Sequence, residues 1–174
     1  MRDDSENYHR RSIRLKGYDY SLPGGYFVTI CAHKRECVFG AIAVGARHAT
    51  PDLSRLGHIV KKCWEEIPNH FPHVLLYEYV VMPNHIHGIL IISGGEGTGV
   101  ACRAPTLSAI VRSFKSASSK KINEIRKTPD VPLWQRNYYE HVVRDERDLN
   151  RIRQYILDNP ACWAMDGENP DNRG

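Results

Sequence analysis

Residues 74–92 read VLLYEYVVMPNHIHGILII, and the rest of the chain arranges around the hairpin they encode. Val74–Met82 is rich in β-branched and aromatic residues and reads as a strand. Pro83-Asn84 ends it, because proline cannot donate to a ladder and both residues favour turns. His85–Ile92 reads as a second strand, and so short a turn makes the pair an antiparallel hairpin. His85 and His87 stand two apart, so they share one side of their strand. Two imidazoles on one side can converge on a metal ion, with Ile86 and Ile89 directed into the core. The motif is short, and for an isolated H-x-H two half-exposed histidines on a sheet face are the more common reading.

Upstream, Pro23-Gly24-Gly25 is a turn and Tyr26–Cys31 a first strand. Residues 40–51 are small and unpatterned and read as a loop. Asp52-Leu53-Ser54 opens a helix, and Leu53, Leu56, Ile59, Val60, Cys63, Trp64 and Ile67 recur at helical spacing until Pro68. Downstream, residues 94–105 form a glycine-rich loop that weakly echoes residues 44–51, as related insertions would. Thr106–Arg126 is a basic helix with Leu107, Ile110, Val111, Phe114, Ile122 and Ile125 as its apolar stripe. Tyr138–Arg144 alternates as a strand, and Asp145 caps a last helix, Glu146–Asp158, that Asn159-Pro160 stops. Residues 1–20 read as a basic arm and 161–174 as a disordered tail. The order β-α-β-β-α-β-α over residues 21–160 predicts an α+β, ferredoxin-like antiparallel sheet. Its helices pack on one face, with one C-terminal helix in addition.

The chain has 174 residues, 41% hydrophobic and 25% charged, which suits one soluble domain and is too short for a (β/α)₈ barrel. Its longest apolar run, Ile89–Ile92, is far from a membrane span, and residues 1–14 show no signal peptide. Five cysteines with no C-x-x-C pair argue against a disulfide framework or zinc knuckle and for a reducing cytoplasm. The net charge of +4 is mild. Between Leu107 and Lys127, however, Arg112, Lys115, Lys120, Lys121, Arg126 and Lys127 face Glu124 alone.

Two other groups carry possible chemistry. Tyr155 and Asn159 stand four apart on the last helix and share a face. Tyr155 admits the readings nucleophile and ordinary packing; Asn159 admits metal ligand and helix stop. Residues 134–141, WQRNYYEH, interleave aromatics with Arg136, which suits stacking on unpaired bases or core packing on a strand. A histidine-triad hydrolase is excluded because position 89 is isoleucine, and an amidohydrolase because it needs a barrel. A zinc hydrolase of small phosphoesters stays open, needing a third ligand.

Together these blocks resemble a known family. Val81–Ile89 (VMPNHIHGI) is similar to the His-hydrophobic-His motif of the single-tyrosine HUH transposases. Leu133–Glu146 (LWQRNYYEHVVRDE) and Tyr155–Pro160 (YILDNP) resemble the branch associated with repetitive extragenic palindromes. The resemblance runs from about Tyr18 to Pro160. It implies a divalent metal, Mg²⁺ or Mn²⁺, on His85 and His87 with Asn159 as third ligand, and Tyr155 as nucleophile. It implies a strand transferase acting on single-stranded or hairpin DNA through a 5′-phosphotyrosine, as monomer or homodimer, with no membrane partner. Arg112, Lys115, Lys120, Lys121, Trp134 and Arg136 are the candidate DNA contacts. The alternative is a domesticated DNA-binding module that does not cleave.

Overall fold

In the computed structural model, which describes residues 22–42, 49–94 and 106–172, the hairpin forms as expected. The strands are β1 (Gly24–Cys31), β2 (Gly40–Ala41), β3 (Asp52–Leu53), β4 (Val74–Val81), β5 (His85–Ile92) and β6 (Tyr139–Val143). The helices are α1 (Arg55–Glu65), α2 (Ile67–His70), α3 (Leu107–Arg126) and α4 (Glu146–Asp158). The main sheet runs β4-β5-β1-β6 with every neighbouring pair antiparallel. That order, with two helical crossovers, is the ferredoxin-like arrangement the pattern predicts. β2 and β3 pair with each other, so part of the expected 40–51 loop is a small ribbon and Leu53 precedes the helix it was expected to join.

Side chains alternate across the strands, and each face has its own cover. Tyr26, Val28 and Ile30 of β1 and Ile86, Leu90 and Ile92 of β5 join Val60, Trp64, Ile110 and Phe114 of α1 and α3 in the main core. Gly88 makes this packing possible: a Cβ there would lie 2.3 Å from Trp64, so only glycine lets the indole lie on the sheet. On the other face, Phe27 and Ile89 pack against Ile152 and Ile156 of α4. The expectation that Ile86 and Ile89 point into one core is corrected here. Both are buried, but three residues along a strand is an odd step, and Ile89 shares the histidine face.

Local signals account for the helix starts. Ser54, Thr106 and Asp145 each accept a hydrogen bond from a first-turn amide, at Gly57, Ala109 and Asp148. Pro68 does not stop the helical run; it sits in the first turn of α2, where its missing N–H costs nothing. Ile125, expected in the apolar stripe of α3, is 38% exposed, and the small Ser118 is buried instead. Residues 161–172, expected as a disordered tail, form two 3₁₀ turns. Polar contacts tie them down: Asn84 Nδ2 donates to Glu168 O at 2.7 Å, and Arg35 pairs with the Glu168 carboxylate. The basic N-terminal arm lies outside the described residues, as do positions 43–48 and 95–105 of the two loops.

Candidate functional site

The α4 face of the sheet turns polar at the start of β5. His85 and His87 are 0% and 2% exposed, with their Nε2 atoms 2.9 Å apart. Their outer nitrogens are held. Asn84 Nδ2 donates to the carbonyls of Arg35 and Glu168, so its Oδ1 is the acceptor for His85 Nδ1 at 2.8 Å. A proton on Nδ1 leaves His85 Nε2 as a lone pair. His87 Nδ1 meets Thr29 Oγ1 at 2.8 Å, across the β1–β5 register. Burial, then Arg35, pulls the His85 pKa down to about 3. Burial and His85 hold His87 well below its usual value. Both rings are therefore neutral near pH 7 and aim donor nitrogens at one point.

A carboxylate stands beside them. Asp166 Oδ2 lies 4.0 Å from His85 Nε2, and the ligand atoms of His85, His87 and Asp166 fall within 4.8 Å of one another. Asp166 Oδ2 and Asn159 Oδ1 are buried with no hydrogen-bond partner among the described residues. Buried polar atoms are rarely left so. Two neutral imidazoles and the Asp166 carboxylate suit a divalent cation, since neither nitrogen readily takes a proton.

Tyr155 projects from α4 over this group. Its hydroxyl is 3.4 Å from His87 Nε2, a long hydrogen-bond distance, and Phe27 meets its ring edge-on at 6.0 Å. Burial, then Asp166, raises its pKa, while the Asn159 amide one turn on pulls the other way. The ring is nonetheless 48% exposed, because it opens into a cleft of about 560 Å³. Phe27, Thr29, His87, Tyr139 and Asp166 line that cleft, with His141 and Arg151 at its rim.

Residues 50–159, well over half of the chain, match the family of IS200-like transposases. The chain belongs to that family. A Haemophilus influenzae protein of unassigned function is 42% identical to this transposase, covering 91% of this chain and 92% of its own. A second protein of that organism, provisionally named a REP-associated tyrosine transposase, is 23% identical, over 82% of this chain and 73% of its own. Among solved structures, a REP-associated tyrosine transposase bound to a REP hairpin shares the fold. Its TM-score is 0.62 at 17% identity, covering 88% of this chain and 76% of its own. No described helix of this transposase is long and apolar enough to cross a membrane.

The transposase brings His85, His87 and Tyr155 together, with Asn159 beside Tyr155, and leaves most of the DNA candidates elsewhere. Arg112, Lys115, Lys120 and Lys121 belong to α3, which covers the opposite face of the sheet. Arg112 and Lys120 are exposed there, and Lys121 pairs with Glu66 at 3.0 Å. Lys115 points inward, donating to the carbonyls of Gln135, Arg136 and Asn137, and burial lowers its pKa to about 8. Arg136 is exposed. Trp134 is 6% exposed and donates its indole N–H to Ser118, so it offers no stacking surface. The aromatic from that block which reaches the cleft is Tyr139, 46% exposed. Sequence reasoning missed Asp166, Thr29 and Asn84. Thr29 was findable from the strand register; Asp166 lies in a segment without periodicity and carries no local signal.

Proposed function

We propose that this transposase is a metal-dependent single-stranded DNA nuclease and strand transferase with Tyr155 as its nucleophile. The observation that carries this reading is the Tyr155 hydroxyl, 3.4 Å from His87 Nε2 and above the paired histidines. Tyr155 Oη attacks the phosphorus of a phosphodiester, forming the Tyr–O–P bond and breaking the P–O3′ bond. The 3′-oxygen leaves as a hydroxyl, gaining a proton in place of the one the phenol loses. The phosphoester energy is kept, so attack by another 3′-hydroxyl reverses the step and joins a new end.

The roles of the chain follow from its contacts. Asn84 and Thr29 fix the imidazole rings, and Phe27 holds the Tyr155 ring from its edge. Burial moves the Tyr155 pKa further up from its ordinary value, so the phenol is protonated at pH 7 and gives up its proton as it attacks. His85 and His87, with Asp166 and Asn159 as oxygen donors, would hold a divalent cation, which would supply neutralisation of the charge that develops on the scissile phosphate. Imidazole ligands favour Mn²⁺ over Mg²⁺. Hairpin DNA as substrate is supported by the hairpin bound to the structural neighbour.

The test is covalent trapping. A labelled hairpin-bearing single strand is mixed with protein and Mn²⁺ or Mg²⁺, then run on a denaturing gel. Wild type gives a metal-dependent adduct, and Tyr155→Phe and His85→Ala give none. Binding without adduct across several hairpins would make this a non-cleaving DNA-binding module.

A further inference from the structure

The active-site cleft does not end at Tyr155. A second hollow of about 270 Å³ adjoins it, lined by His141, Arg144, Asp145, Arg147, Asp148 and Arg151. His141 and Arg151 line both hollows, so the two form one continuous surface from Tyr155 to the first turns of α4. Both carboxylates in the second hollow are engaged. Asp145 Oδ1 accepts from the Asp148 amide and caps α4. Asp148 accepts from Arg151 at 2.6 Å, meets His141 Nε2 at 2.7 Å, and accepts from the Arg144 amide at 3.2 Å. Arg151, then His141, hold its carboxyl down at about 2, so it is a fixed anion.

The arginines are the opposite case. Arg144 and Arg147 are exposed and pair with no carboxylate among the described residues. Arg151 gives one Nη to Asp148 and remains 71% exposed, with the rest of its fork free. Three guanidiniums at the mouth of a cleft, one of them anchored, are arranged to take oxyanions bidentately.

We propose that Arg144, Arg147 and Arg151 form a phosphate-binding subsite for the backbone of single-stranded DNA entering the Tyr155 cleft. The proposal rests on the function inferred above and adds a path to it. The strand runs along the start of α4, the hollow taking a phosphodiester of the flanking nucleotides while Tyr139 lies beside the bases. The basic surface of α3 is not needed for this contact, since it lies across the sheet.

The experiment is fluorescence anisotropy with labelled oligothymidylate across a salt series. The variants are Arg144→Gln/Arg147→Gln/Arg151→Gln and a charge-matched control on α1, Arg55→Gln/Lys61→Gln/Lys62→Gln. All six residues are exposed, so neither set of changes removes core packing. Each phosphate contact on a single strand contributes about 0.7 to the slope of log affinity against log salt. The α4 variant should therefore lose about 2 from that slope while the control keeps it. An unchanged slope, or an equal fall in the control, overturns the subsite. The trapping assay separates the two readings. An adduct on wild type with no slope change in the α4 variant removes the subsite alone; a slope change with no adduct on wild type removes the nuclease alone.

Discussion

Alternate residues of the same two strands serve different layers. Tyr26, Val28, Ile30, Ile86 and Leu90 face α1 and α3 and are fully buried in an apolar core. Phe27, Thr29, His85, His87 and Ile89 face α4, where a smaller apolar cluster of four buried residues, with Val80, Ile91, Val143 and Leu149 partly buried around it, adjoins the polar site. Burying a large apolar side chain contributes about 1.5–3 kcal/mol. The first face therefore supplies most of the stability, and the second holds α4 with few such contacts. A strand of period two lets one segment serve both, and His-Ile-His is that economy in three residues. The helix that carries Tyr155 therefore rests on the smaller of the two apolar clusters.

The sharpest way to break the contrast is Trp64→Ala. Trp64 is fully buried between Gly88 and Phe114, which meets it edge-on at 5.2 Å. The loss should be about 3–5 kcal/mol, lowering the urea midpoint of the entire fold. A local effect confined to α1 would contradict a single cooperative core. Ile156→Ala on the other face should cost about 2 kcal/mol. Hydrogen exchange should then show α4 amides opening while the amides of β1 and β5 keep their protection. Simultaneous loss in both would mean the faces open as one unit.

A further test concerns Lys115, on the apolar side. Burial puts its folded pKa at about 8, against an ordinary 10.5. Between those values the unfolded chain binds the proton and the folded chain does not, so stability should rise with pH across that window. Lys115→Gln should flatten the rise in thermal unfolding followed from pH 8 to 10. An unchanged rise would assign it to other groups.

The same contrast explains what the sequence made legible. Strands, helices and the hairpin follow from apolar periodicity and capping residues, which act over a few positions. The shared side of His85 and His87 follows from the strand alone. The tail over the site does not, because Glu168 and Asp166 meet Arg35, Asn84 and His85 across the chain through polar contacts with no periodic trace. Trp134 in its aromatic block looks like a stacking platform. It is core because Ser118, sixteen residues back, gives its N–H a buried acceptor. Lys115 looks like a phosphate contact and instead holds three carbonyls. A charge read from sequence carries no direction until the helix face is known.

The most direct measurement is peptide mapping of the trapped protein–DNA adduct by mass spectrometry after nuclease and protease digestion. The account predicts a nucleotide phosphate on Tyr155, in the peptide that follows Arg153, formed only with divalent metal. A phosphate on Tyr138 or Tyr139 instead would contradict it, since the chemistry would then leave α4 and the histidine pair without their proposed roles.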